Sequence, residues 1–272
     1  ISFWRPGAAK IEMCRPMIAD PYLPVNLNYH YGFHVLAALF SAMTGTEPAI
    51  TLLGFGQVLN ALIALSLYRL SLEIWQDMRR AALSALLVGL VFQMPAYYLT
   101  WGRYTLITGL IVLPLAMASI IRLSRQPRSV SAWVTTALLT AGVALSHLTA
   151  FLLLGFFTVI LLVVRLLERY DPIDPVPENR WGRLIAPGTA ALAGVGLSSP
   201  WLLRLWGYYG AEAGVALVSP FTSDQTSYGD YLLYLLGPVH NAVWLGLGAA
   251  GLMLALLRKP ARARAVWALL LV

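Results

Sequence analysis

Charge is what this sequence has least of. Only 11% of its 272 residues are Asp, Glu, Lys or Arg, against roughly 25% in a soluble domain, and mean hydropathy is +0.71. That deficit excludes an ordinary water-soluble globular fold. Cysteine is almost absent. Cys14 stands alone, which excludes a disulfide within the chain and a cysteine-based zinc site. The sequence has no G-x-x-x-x-G-K-[ST] phosphate loop, no G-x-G-x-x-G after a strand and no nucleophile elbow. Acidic residues are missing from the middle of every long apolar run, which counts against a proton- or ion-coupled transporter, where buried carboxylates are expected. A signal-peptide pattern is missing too, because residues 1–30 are mixed, Pro-rich and polar.

What is present is a succession of apolar runs joined by short arginine-bearing segments. Runs 81–94, 105–121 and 151–164 hold no charged residue, and with their uncharged flanks each is long enough to cross a bilayer as a helix. The fold class that follows is all-α, a polytopic transmembrane helix bundle. The net charge of +7 sits in small groups between apolar runs rather than on one surface with stacking aromatics. It signals topology, not nucleic acid. Ile1 at the start and the uncapped apolar run 265–272 at the end read as the borders of an internal fragment.

The basic joints set the orientation. Arg69, Arg79 and Arg80 mark one, Arg122, Arg125 and Arg128 a second, Arg165, Arg169, Arg180 and Arg183 a third, and Arg258, Lys259, Arg262 and Arg264 a fourth. The intervening joints hold only Arg103 and Arg204. By the positive-inside rule the four basic joints are cytoplasmic and the others face outward. Spans are expected at roughly 49–70, 80–97, 104–122, 130–146, 149–168, 183–206 and 232–257, with an eighth cut short from about 263. Gly237-Pro238 is expected to kink or start the seventh.

Residues 34–44 are apolar but short, and a crossing there would invert every later joint. Residues 1–48 are therefore expected to form an extracytoplasmic segment with an interfacial or re-entrant helix at about 31–44. The tight turn T-G-T-E-P follows it. Residues 49–272 form the transmembrane bundle, with seven complete spans and one truncated.

Outer-side residues able to do chemistry are few. The run D-P-Y-L-P-V-N-L-N-Y-H-Y-G-F-H brings Asp20, His30, Tyr31 and His34. His30 and His34 share a face on a continuous helix, and such a pair can hold an anion or a divalent metal. The blander reading puts both imidazoles in the headgroup layer. The run A-Y-Y-L-T-W-G-R-Y brings Tyr98, Arg103 and Tyr104. Its aromatics suit an interfacial belt, whereas Arg103 is an outer cation where the topology rule disfavours one, and its guanidinium fork suits a phosphate. His147 lies in the S-H-L-T joint, where it can satisfy helix-end carbonyls. The long loop 208–230 brings Asp224 and has the length of a lid or acceptor-binding segment. Gln57 and Asn60 are the conspicuous polar groups within a span, explained by helix packing as well as by function.

The Y-H-Y-G-F-H helix ending T-G-T-E-P, the span closing in Y-R-L, the basic M-R-R-A-A-L joint and the M-P-A-Y-Y-L-T-W-G-R-Y end of the next span together resemble the GT-C superfamily. These are integral-membrane glycosyltransferases, and the likeness is to the protein-mannosyltransferase and arabinosyltransferase-like groups. The resemblance implies transfer of a sugar from a polyprenyl-phosphate donor to a glycan, lipid or protein acceptor on the extracytoplasmic face of a bacterial plasma membrane. It implies that Asp20 stands in the loop of the catalytic acid. It places Arg103 and Tyr104 at the donor phosphate, and His30, Tyr31, His34, Tyr98, His147 and Asp224 around the substrates. It fixes no cofactor and leaves room for a divalent metal. Two other classes fit the layout: a transporter or flippase of lipid-linked glycans, and a non-catalytic membrane subunit. The expected partners are the bilayer, the lipid-linked sugar and its acceptor, with no nucleic acid.

Overall fold

The computed structural model describes residues 32–92, 95–100, 102–167, 180–216 and 240–257, all of them helix, turn or short connection. Among the described residues there is no strand. The elements are α1 (Gly32–Thr44), α2 (Pro48–Trp75), α3 (Met78–Leu86), a π-helical turn (Leu87–Val91), α4 (Tyr97–Thr100), α5 (Tyr104–Arg125), α6 (Val130–Ser146), α7 (Leu148–Leu167), α8 (Arg180–Ala216) and α9 (His240–Leu257).

Local chemistry sets the joints. Gly45 takes φ +68° after α1, and Thr44, Thr46 and Thr51 chain their hydroxyls at 2.7 and 2.6 Å, so the turn expected at T-G-T-E-P closes on itself. Pro48 then opens α2, where a missing N–H costs nothing. At the other end of α2, Gln76 adopts φ 52° and its backbone N–H returns to Leu72, a left-handed stop. Asp77 immediately caps α3, accepting from the N–H groups of Arg79 and Arg80 at 2.9 and 3.3 Å. Those hydrogen bonds, the Arg80 bond foremost, and the two arginine charges hold its carboxyl below the usual 3.8. Ser129 caps α6 in the same way through Ala132 N–H.

Among the described residues two helices are long and apolar enough to cross a membrane, Ile50–Trp75 and Tyr104–Arg125. Helices α6 and α7 are apolar but shorter by the same measure. The expected run 80–97 is instead α3 with its π turn, where Phe92 N–H reaches back to Leu87. The described part of the seventh expected run is α9, and Gly237-Pro238 lies outside the described residues. The eighth lies outside the described residues.

α5 is the central element. Its buried side runs from Ile107 to Leu123, and the largest core joins it to Leu70 and Ile74 of α2, Val143 of α6 and Leu154, Phe157 and Leu161 of α7. Three of its buried hydroxyls are satisfied within the helix: Thr108, Ser119 and Ser124 donate to the Tyr104, Ala116 and Ile121 carbonyls at 3.0, 2.9 and 2.7 Å, which spares them a partner outside it. α6 packs on α8 through small residues. A Cβ at Gly194 would stand 2.5 Å from the Ala137 carbonyl oxygen and 2.6 Å from Thr140 Cβ, so only glycine permits this approach. Gln57 is exposed, and Asn60 is half-buried with an Oδ1 that has no hydrogen-bond partner among the described residues.

The outer surface is apolar in stripes. On α7, Leu152, Phe156, Val159, Val163 and Leu166 are all exposed at spacings of four and three, so they share one face. Val58, Leu62 and Leu65 do the same on α2. Contiguous apolar faces of this extent need a cover other than water.

Candidate functional site

The described ones among the site residues read from the sequence lie where α1, α4 and α5 begin and α6 passes into α7. Their positions follow from the backbone. After α4, Gly102 takes φ +66°. Its N–H returns to Leu99 at 3.0 Å, and the Arg103 N–H returns to Tyr98 at 3.1 Å. This paired closure is the Schellman arrangement. It reverses the chain within two residues and leaves Arg103 as the N-cap of α5 with an exposed side chain.

Tyr104 follows, and its ring is packed away. It stacks on Phe33 at 5.0 Å and 11°, and its far side lies on Gly56, where an added Cβ would come within 2.5 Å of the ring. Phe33 itself is fully buried and also stacks on Phe55 at 5.9 Å. The aromatic group pins the first turn of α1 to α2 and α5. Tyr98 is half-buried at the edge of the same cluster. His34 is exposed, with its ring edge-on to Phe33 at 5.5 Å.

His147 closes the group. Gly32 approaches the Leu145 carbonyl, which a Cβ would meet at 3.3 Å, and thereby brings α1 beside the S-H-L-T joint. Gly109 of α5 lies directly under the histidine, where a Cβ would stand 3.0 Å from that of His147. The ring is half-buried. Its Nδ1 accepts the Thr149 N–H at 3.2 Å. This nitrogen accepts from the start of α7, as an N-cap does. Burial, first, and the nearby positive charge of Arg103, second, hold its pKa below 6.5. With Nδ1 accepting, the neutral ring carries its proton on Nε2.

His34, Tyr98, Arg103, Tyr104 and His147 are thus brought to one end of the helices. Asp20, His30, Tyr31 and Asp224 lie outside the described residues. Among the described residues no group of three or more His, Cys, Asp or Glu is placed to hold a metal ion. The arrangement offers one charged fork and one neutral N–H donor, and it suits an oxyanion. The sequence reading missed Phe33 and the three glycines at 32, 56 and 109 that make these approaches possible. Their only signal was glycine inside helical pattern, which more often means packing than a site.

At the other end of α2 the sequence reading also missed Glu73. It is buried and pairs with Arg69 at 2.9 Å and with Arg125 at 3.3 Å. The R-L-S-L-E spacing signals the first pair, and nothing local signals the second.

No curated protein and no solved structure matches the chain. A protein family does match, over residues 24–272, and its description is a family of unknown function. Since that span takes in all the described helices, the chain belongs to this family, DUF6541.

Proposed function

We propose that this protein is a multi-pass membrane glycosyltransferase of GT-C type, with its active site on the extracytoplasmic face of a bacterial plasma membrane. One observation carries the reading. Arg103, an outer-side cation at odds with the topology rule, lies close enough to His147 for its charge to help burial keep that imidazole neutral. The polytopic layout is supported by the two membrane-length helices, by the apolar stripes, and by fourteen of nineteen basic residues falling on alternate joints. On this reading α1 is the interfacial helix, set against the outer ends of α2, α5 and α6.

The reaction is a displacement at the anomeric carbon. An acceptor hydroxyl forms the new glycosidic C–O bond while the anomeric carbon–phosphate oxygen bond breaks. The electron pair leaves with the polyprenyl phosphate. Arg103 and His147 stabilise that departing anion as donors, a role most valuable where water is thin. His147 does not serve as the base, since Nδ1 is taken by the Thr149 N–H and Nε2 already carries hydrogen. The acceptor proton goes to a carboxylate, for which Asp20 is the sequence candidate. Tyr104 acts by packing, fixing the turn that aims Arg103.

The test is transfer by the natural full-length protein in membranes, supplied with radiolabelled polyprenyl-phosphate sugars. Arg103→Ala is expected to lower turnover by about a hundredfold or more, the usual loss for one transition-state donor. Unchanged transfer in that variant would remove Arg103 from the site. No transfer from any polyprenyl-phosphate sugar would remove the transferase reading itself.

A further inference from the structure

A cavity of about 290 Å³ opens at the opposite end of the helices from His147, between α2, α5 and α6. Its polar lining includes Arg69 of α2, Arg122 of α5, and Ser131 and Thr135 of α6, and its apolar lining includes Leu115 and Leu139. Cation is in excess there. Glu73 is the one carboxylate described beside it and is already shared by Arg69 and Arg125. The Arg122 side chain is exposed and makes no ion pair among the described residues. Ser131 and Thr135 lie in the first two turns of α6, where the helix dipole adds positive potential.

We infer that this cavity binds the phosphate group of an anionic amphiphile, a phospholipid headgroup whose first chain atoms rest on Leu115 and Leu139. Two guanidiniums from different helices grip phosphate oxygens as forks, and two hydroxyls complete the shell. The apolar floor gives no partner to the far side of a free inorganic ion, but it suits the glycerol and upper acyl carbons of a lipid. The basic joints at this end place the cavity at the cytoplasmic headgroup layer, where anionic lipids and arginine clusters meet. The site rests on the membrane reading of the helices and is independent of the transferase reading.

The experiment uses the purified full chain in a neutral detergent, with thermal unfolding followed as phosphatidylglycerol, phosphatidylcholine or inorganic phosphate is added. Phosphatidylglycerol is expected to raise the midpoint saturably, with the other two giving little change. Arg122→Gln and, separately, Thr135→Val should weaken the phosphatidylglycerol response, the first by roughly ten- to hundredfold in half-saturating concentration. Arg128→Gln, an exposed arginine outside the lining, should leave it unchanged. A response to inorganic phosphate equal to that of the lipid would replace the amphiphile by the free ion. Equal losses in Arg122→Gln and Arg128→Gln, or no saturable response at all, would overturn the site. Loss of sugar transfer with this response intact bears only on the transferase reading.

Discussion

Arg125 crosses from the last turn of α5 to α2 and gives the same Nη1 to two oxygens of Glu73, the backbone carbonyl at 2.5 Å and the carboxylate at 3.3 Å. The carboxylate side chain is 9% exposed and also holds Arg69. A buried carboxylate that loses one of its cations keeps its desolvation cost and loses part of the compensation. Arg125→Gln and Glu73→Gln are each expected to lower stability by about 1.5–3 kcal/mol. The double variant should lose less than the sum, since both changes remove the same contact. Unfolding of the purified chain in detergent checks this, and strictly additive losses would show that the two residues act separately.

Glycines on α8 separate packing from propensity. Gly194 faces the Ala137 carbonyl with no room for a Cβ, whereas a Cβ at Gly196, two residues on, meets nothing within 4 Å. Gly194→Ala should destabilise by about 1–3 kcal/mol through forced displacement of α6. Gly196→Ala should be neutral or stabilise by up to about 1 kcal/mol, because alanine is the better helix former. The same unfolding measurement reports both, and equal effects would place the α6–α8 contact elsewhere.

His147 makes stability depend on pH in a stated direction. Its folded pKa lies below 6.5, through burial and then the Arg103 charge. Between that depressed value and 6.5 the unfolded chain binds more protons than the folded one, so stability rises with pH in this window. The contribution is complete above 6.5 and is lost as pH falls toward the folded value. His147→Asn keeps an acceptor for the Thr149 N–H and does not titrate. The unfolding midpoint of the native chain should therefore fall more steeply from pH 7 to 5 than that of His147→Asn, and parallel curves would contradict the assignment.

Orientation is open to direct labelling. In a Cys14→Ser background, Thr149→Cys lies in the joint beside the candidate site and Gln126→Cys in the basic joint between α5 and α6. Both positions are exposed. A membrane-impermeant maleimide added to intact cells should modify the first and spare the second until the cells are lysed. Reaction at Gln126→Cys in intact cells would invert the layout and with it the face on which Arg103 stands.

Helix ends were legible wherever charge or a cap fixed them. The expected run 130–146 coincides with α6, bounded by Ser129 and His147. The start at 104 was also readable, because Gly102 and Arg103 interrupt an otherwise apolar sequence. The expected run 80–97 was not realised as one helix. Past Arg80 its residues are uncharged and almost all apolar, and periodicity alone cannot distinguish a continuous α-helix from α3 followed by a π turn ending at Phe92.

The long apolar runs and the confinement of charge to their ends were legible along the chain, a pattern that follows where an unpaired charge is costly in hydrocarbon. The same pattern singled out Arg103 as an exception. Only the tertiary structure decided that His147 is its neighbour, that Tyr104 serves the packing, and that Glu73 gathers two arginines. The first two depend on how closely helices approach, a distance set at Gly109 beneath His147 and at Gly56 beside Tyr104, partners far apart along the chain; the third depends on Arg125 of α5 reaching across to α2.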